Sequence, residues 1–159
     1  MTIGAPEAVT HGELVSQVRY GYWFNHLCER LYGRIDLCLN FVQLVGGSAV
    51  AVATMQSVPS VATIAGVLLA AAAAVSLLMH PAVKAERHLR AKCGYLDLEA
   101  RSWDVESAVL MRELTELRKG APAGWDVLAV PAFNATVRAI GSDATIPETG
   151  LQKFARALA

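Results

Sequence analysis

From Leu37 to Val83 the chain carries no Asp, Glu, Lys or Arg; the charges that bound the gap are Asp36 and Lys84. Two apolar runs fill it, Leu37 to Met55 and Val58 to Met79, split by Gln56-Ser57 with Pro59-Ser60 just beyond. Roughly 20 residues rising about 1.5 Å each cross a hydrocarbon core of about 30 Å. Each run therefore suffices for one crossing, and the pair predicts a transmembrane hairpin in an all-α membrane protein. The competing arrangement buries the same hairpin in a soluble core. A chain of 159 residues has too little material left to wrap two such helices. Its 54% hydrophobic and 18% charged residues are also more apolar than an ordinary soluble domain.

The charges outside the gap give the orientation. Arg19, Arg30 and Arg34 precede it, and Lys84, Arg87, Arg90 and Lys92 follow at once. The short connection between the runs has none. The positive-inside rule then puts both flanks and both termini in the cytoplasm, and the connection outside. A net charge of zero does not suggest a nucleic-acid partner. A cleaved signal peptide is not expected, because the first apolar run starts late and is too long for such a segment. The organisation predicted is a cytoplasmic or interfacial helix over 1–36, the hairpin over 37–79 (37–55 and 58–79), a long cytoplasmic helix over 80–119 and a short tail over 120–159.

Before the hairpin, Met1 to Thr10 shows no periodicity. Thr10 with Glu13 reads as a capping box, and Leu14, Val18, Tyr22, Leu27, Leu31 and Ile35 form a helical stripe. Tyr20, Tyr22, Trp23, Phe24 and Tyr32 crowd the same stretch. Such rings suit either an interfacial belt or packing against another cytoplasmic helix.

On the first crossing Asp36, Asn40, Gln43, Gly47 and Thr54 fall on one helical face. Polar groups at membrane depth need partners or water. The face is therefore expected either to line a pore, with Asp36 at the cytoplasmic mouth, or to join subunits by hydrogen bonds of about 0.6 kcal/mol each. On the second crossing Ala62, Gly66, Ala70 and Ala74 make a small-residue row that lets helix backbones approach closely. His80-Pro81 ends that run. Beyond it Leu89, Cys93, Leu96, Ala100, Trp103, Ser107, Leu110, Leu114 and Leu117 repeat at four and three, predicting a heptad seam on one helix projecting on the order of 50 Å. Its partner is either the N-terminal helix or a second copy. Gly120 to Gly124 breaks the helix. A short amphipathic segment is expected from Pro131 through Phe133, Val137 and Ile140 to Gly141, and a last short helix over Leu151 to Ala159.

Catalytic patterns are missing. Gly46-Gly47 has no following Lys, and no nucleophile–base set or paired cysteine occurs. Cys28, Cys38 and Cys93 read as reduced thiols. His26 and His88 sit in separate helical patterns and predict a metal site only if the fold brings them together. No enzyme activity, cofactor or metal is expected.

The stretch Tyr20-Gly21-Tyr22-Trp23-Phe24-Asn25-His26 leading into Leu31 to Val45, with Ala85 to Glu99 after the hairpin, resembles the SLATT family over about Gly12 to Lys119. These are two-transmembrane effector domains associated with bacterial nucleotide-second-messenger systems. The resemblance implies a homo-oligomeric membrane effector that permeabilises or depolarises the inner membrane in anti-phage or stress-triggered defence. It also implies a separate sensor or messenger-producing protein as partner, besides the lipid bilayer, and it carries over no catalytic residues. Three rival readings stand beside it. A phage holin shares the hairpin but usually lacks so long a cytoplasmic helix. A membrane anchor would recruit a partner through its coiled coil without conducting. A small carrier lacks the intramembrane charges that coupling needs.

Overall fold

One helix organises the molecule. The computed structural model describes residues 9–56 and 59–159, and in it α1 runs unbroken over His11–Met55, 45 residues, or about 68 Å. The polarity change at residue 36 is not a break in the backbone. The helix starts on the expected capping box. The Thr10 hydroxyl accepts the Glu13 N–H at 3.3 Å, and the Glu13 carboxylate accepts the Thr10 N–H at 2.7 Å. Met1 to Ala8 and the hairpin residues Ser57 and Val58 lie outside the described residues.

The other helices are α2 (Pro59–Met79), α3 (Pro81–Arg101), α4 (Ser107–Gly120), α5 (Ala129–Ala139) and α6 (Gly150–Leu158), with a 3-10 turn over Asp126–Leu128 before α5. Among the described residues there is no strand. The upper part of α1 and the stretch Pro59–Arg101 are each long and apolar enough to cross a membrane. Only 6% and 11% of their most apolar windows are buried, so this protein does not wrap them as a core.

A seven-residue repeat on α1 receives the neighbours. Val18, Asn25 and Tyr32 are buried below, Leu39 and Gly46 are half-buried above, and Ala53 is buried at the top. Below, α3 lies along this seam; above, α2 does. On α2 the covered positions are Ala62, Ala65, Gly66, Leu69, Ala72, Ser76 and Met79; apart from Gly66 they are spaced three and four as in a left-handed supercoil. Of the expected row of Ala62, Gly66, Ala70 and Ala74, the first two are half-buried and the last two lie off the seam with α1. Ala70 and Ala74 are exposed, and a Cβ on Gly66 would meet nothing within 4 Å. A strict four-residue row advances about 40° per step around a 3.6-residue helix, so it winds off a straight seam. The close approach is at Gly46, where a Cβ would lie 3.6 Å from Leu69 Cβ and 3.7 Å from the Ala65 carbonyl oxygen.

Between α2 and α3 stands one residue, His80, in the left-handed region (φ 45°, ψ 54°). Pro81 disfavours the right-handed conformation of the residue before it, and a non-glycine residue here costs on the order of 1 kcal/mol. The turn changes helical phase. Continued from α2, the seam would bring Val83 and Glu86 onto α1; instead Pro81, His88, Tyr95 and Leu98 are buried.

The single helix expected over 80–119 is two. Ser102–Glu106 forms a turn, in which the Ser102 hydroxyl donates to the Glu99 carbonyl at 2.7 Å and Asp104 N–H to the Arg101 carbonyl at 3.0 Å. α4 then folds back antiparallel on α3. Arg101 meets Glu113 at 3.2 Å, and a Cβ on Gly94 would sit 2.9 Å from Leu117 Cδ2. The expected seam splits accordingly. Leu110 and Leu114 are fully buried and Leu117 half-buried, against Leu14, Val15, Val18, Tyr95 and Leu98. Leu89, Leu96 and Trp103 are 40%, 51% and 70% exposed. Apolar counting did not find the face that α3 turns to α1, because a histidine, a tyrosine and a serine fill its contact positions.

The tail packs on another side of α1. Leu128, Ala132, Ala155 and Ala159 join Leu27, Cys28, Leu31 and Tyr32 in a second core. Gly124 is needed there, since a Cβ would lie 2.6 Å from the Phe24 ring and 2.8 Å from Cys28 Sγ. Helix α5 ends on Gly141 (φ 75°), with Gly141 N–H to the Arg138 carbonyl and Ser142 N–H to the Val137 carbonyl, the bond pair of a Schellman cap.

Candidate functional site on the first apolar helix

The five polar positions singled out on α1 share a face. At about 100° per residue, Asn40, Gln43, Gly47 and Thr54 fall within about 40° of Asp36. Asn40 Nδ2 donates to Asp36 Oδ2 at 3.0 Å, and the Thr54 hydroxyl donates to the Val50 carbonyl at 2.8 Å. Asn40 and Thr54 are exposed; Asp36, Gln43 and Gly47 are half-buried. The seam with α2 is centred about 80° away at Gly46. Gln43 stands at the edge between the two, and a Cβ on Gly47 would meet nothing within 4 Å. The hairpin thus leaves its polar arc open beside the seam. The two local hydrogen bonds satisfy part of the arc's polar groups, and helix α2 covers little of the rest.

Directly below the arc, on the same side of α1, lies a buried polar contact to α3. Asn25 is 3% exposed and His88 0%. Asn25 Nδ2 donates to the Gly21 carbonyl at 2.8 Å, which leaves Oδ1 to accept from His88 Nδ1 at 2.8 Å. The Tyr32 ring stacks on His88 with centroids 5.6 Å apart, and Lys84 Nζ stands 5.4 Å from the Tyr32 centroid. Burial pushes the His88 pKa down, the Ala123 backbone carbonyl opposes this, and Lys84 adds to the depression. The ring is therefore neutral at pH 7, and Nε2 closes no well-formed hydrogen bond; the Ala123 carbonyl favours the charged ring without satisfying it. Two ion pairs flank this contact, Lys92–Glu29 at 2.5 Å and Arg19–Glu99 at 2.6 Å. All four side chains are partly exposed, so each pair fixes register more than it adds stability.

The remaining candidates separate. His26 lies against Tyr22, Trp23 and Glu29, whereas His88 faces Asn25 and Tyr32. The histidines do not form a pair, and among the described residues no group of three His, Cys, Asp or Glu could hold a metal ion. Tyr20, Tyr22, Trp23 and Phe24 pack in the lower bundle and Tyr32 is 2% exposed. Trp23 is 14 residues before Leu37, about 21 Å along the helix. Cys28 is buried, and burial raises its thiol pKa to about 11. Two features had no sequence signal. An open groove of about 960 Å³ between α3 and α4 is lined by Arg87, Arg101 and Arg112 together with Asp97, Glu113 and Glu116. An apolar groove of about 510 Å³ lies among Leu31, Trp125, Leu151, Phe154 and Leu158. Both arise from tail and turn contacts that no local periodicity encodes.

Comparison with protein-family models, with curated proteins and with solved structures gives no match. The fold itself is all-helical, with a two-helix apolar hairpin carried on a small helical bundle.

Proposed function

We propose that this chain is an oligomeric pore-forming membrane protein that permeabilises or depolarises the bacterial inner membrane. The hairpin crosses the bilayer, with the bundle and both termini in the cytoplasm. The observation that carries the reading is the open polar arc on the largely apolar upper part of α1. Exposed amide and hydroxyl groups facing lipid are unfavourable, and a ring of such arcs from several copies would enclose a hydrated path. Asn40, Gln43, Gly47 and Thr54 line it, and Asp36 stands at its cytoplasmic mouth. The strip Leu89, Leu96 and Trp103, uncovered within one chain, supplies contacts between copies below the membrane. The SLATT-like layout supports an effector role in anti-phage or stress-triggered defence, with a separate sensor or messenger-producing protein as trigger.

The test is induced expression with a membrane-potential dye. Wild type depolarises the cells, whereas Asn40→Leu combined with Gln43→Leu inserts equally well and leaves the potential intact. A double variant that depolarises as fast as wild type refutes the lining.

A further inference from the structure

We propose that α6 is an interfacial helix whose outer edge, Leu151, Phe154 and Leu158, enters the cytoplasmic leaflet beside the hairpin. The proposal rests on the bilayer reading above and adds a second, peripheral contact with the same membrane. The helix is two-faced. Leu151, Phe154 and Leu158 are 68%, 62% and 41% exposed at positions one, four and eight of one helical stripe. Ala155, about 40° from Leu151 on the flank of the same stripe, is buried with the following Ala159 against the α1 core, while Lys153 and Arg156 occupy the opposite face. A helix with an apolar stripe exposed on one side and cationic side chains on the other is the form that lies in a headgroup layer.

Its position supplies the occupant. Arg34 Nη1 donates to the Ala157 carbonyl at 2.9 Å, and Arg34 is only about 4.5 Å along α1 from Leu37, where the apolar run begins. Leu31 and Arg34 mark the face of α1 that receives α6. Continued upward at steps of four and three, that face becomes Cys38, Phe41 and Val45, all exposed. It lies about 160° round the helix from the polar arc. The α6 edge therefore continues the lipid-facing side of the first crossing and stands away from the side assigned to the pore. Trp125, 40% exposed, borders the apolar groove between α6 and Leu31, a ring type that favours the headgroup level. Lys153 on α6 makes no ion pair among the described residues, which suits anionic headgroups; Arg156 is held by Glu148 at 3.0 Å.

The test uses the full chain carrying Cys38→Ser and Cys93→Ser, with an environment-sensitive fluorophore on Phe154→Cys. A second sample carries the fluorophore on Phe41→Cys. Both are reconstituted in phosphatidylcholine–phosphatidylglycerol vesicles containing lipids spin-labelled near the headgroup, and unchanged far-UV circular dichroism confirms folding. The proposal expects a blue-shifted label at 154, quenched at least about twofold by the shallow spin label, with the label at 41 quenched as well. A label at 154 that stays water-like while 41 is quenched overturns the α6 assignment and leaves the hairpin reading standing. Quenching at neither site overturns both. A label at 154 that is dry, unquenched by lipid and self-quenched between chains assigns the edge to a second copy and overturns the proposal too.

Discussion

Gly21 offers a test of how α1 and α3 meet. A Cβ built there would lie 2.3 Å from Tyr95 Cε1 and 2.6 Å from both Cδ1 and Cζ, where carbon atoms normally keep about 3.5–4.0 Å. The ring would have to withdraw by about 1 Å or more. It is 4% exposed and enclosed by Leu14, Val15, Val18, Leu98, Leu110 and Leu114, so the withdrawal spreads α1 from α3. Overpacking of this kind costs about 1–3 kcal/mol, against a gain of about 1 kcal/mol in helix propensity. Gly21→Ala is therefore expected to destabilise the bundle by about 0–2 kcal/mol, or up to about 8 °C in Tm for a chain of this size. Gly33 is the internal control: it is helical and exposed, and a Cβ there meets nothing within 4 Å. Gly33→Ala should raise Tm, and so should Gly21→Ala in a Tyr95→Leu background, where the obstacle is gone. The assay is thermal unfolding followed at 222 nm in mild detergent. If Gly21→Ala and Gly33→Ala raise Tm alike, Tyr95 does not sit on Gly21 and the α1–α3 register described above is wrong.

Two further outcomes are expected. The pKa of His88 is depressed below its ordinary 6.5, by burial first; the pKa of His26 is depressed too, by burial with Lys92 and Arg30, against Glu29. Below that ordinary value the unfolded chain takes up protons that the folded chain refuses, so stability is full above about pH 6.5 and falls as the pH drops through the folded values. Tm measured between about pH 5 and 7.5 should show this slope, and His88→Gln should flatten it; a wild-type Tm independent of pH contradicts the buried neutral ring. Cys93 lies exposed between Leu89 and Leu96. In a Cys38→Ser background mild oxidation of membranes should link Cys93 between copies, while Cys28 stays reduced; a chain that remains monomeric on denaturing gels removes the α3 strip from the oligomer.

The parts legible in the sequence were those set by local chemistry. The charge gap marked the two apolar helices, Thr10 with Glu13 marked the start of α1, and Gly141 the end of α5. The polar arc was legible because its residues recur on one helix. What local pattern could not give were contacts between distant segments. Asn25 and His88 are 63 residues apart, and only their meeting makes a histidine preferable to Leu89 at the inner face of α3. The turn at Ser102–Glu106 contains neither glycine nor proline. It exists because Leu110 and Leu114 gain a core by folding back on Leu14 and Val18. The α6 seat is likewise invisible until Arg34 and Ala157, 123 residues apart, are seen together.

The left-handed residue at His80 has a mechanical consequence. With one residue and no loop between α2 and α3, there is no slack to absorb a twist. A roll of the lower rod about its long axis is handed to the upper one almost undiminished, as through a rigid crank. Deleting a single residue at this joint would re-aim α2 by about 100°, which makes the elbow a place where a partner grasping only the bundle could steer the apolar hairpin.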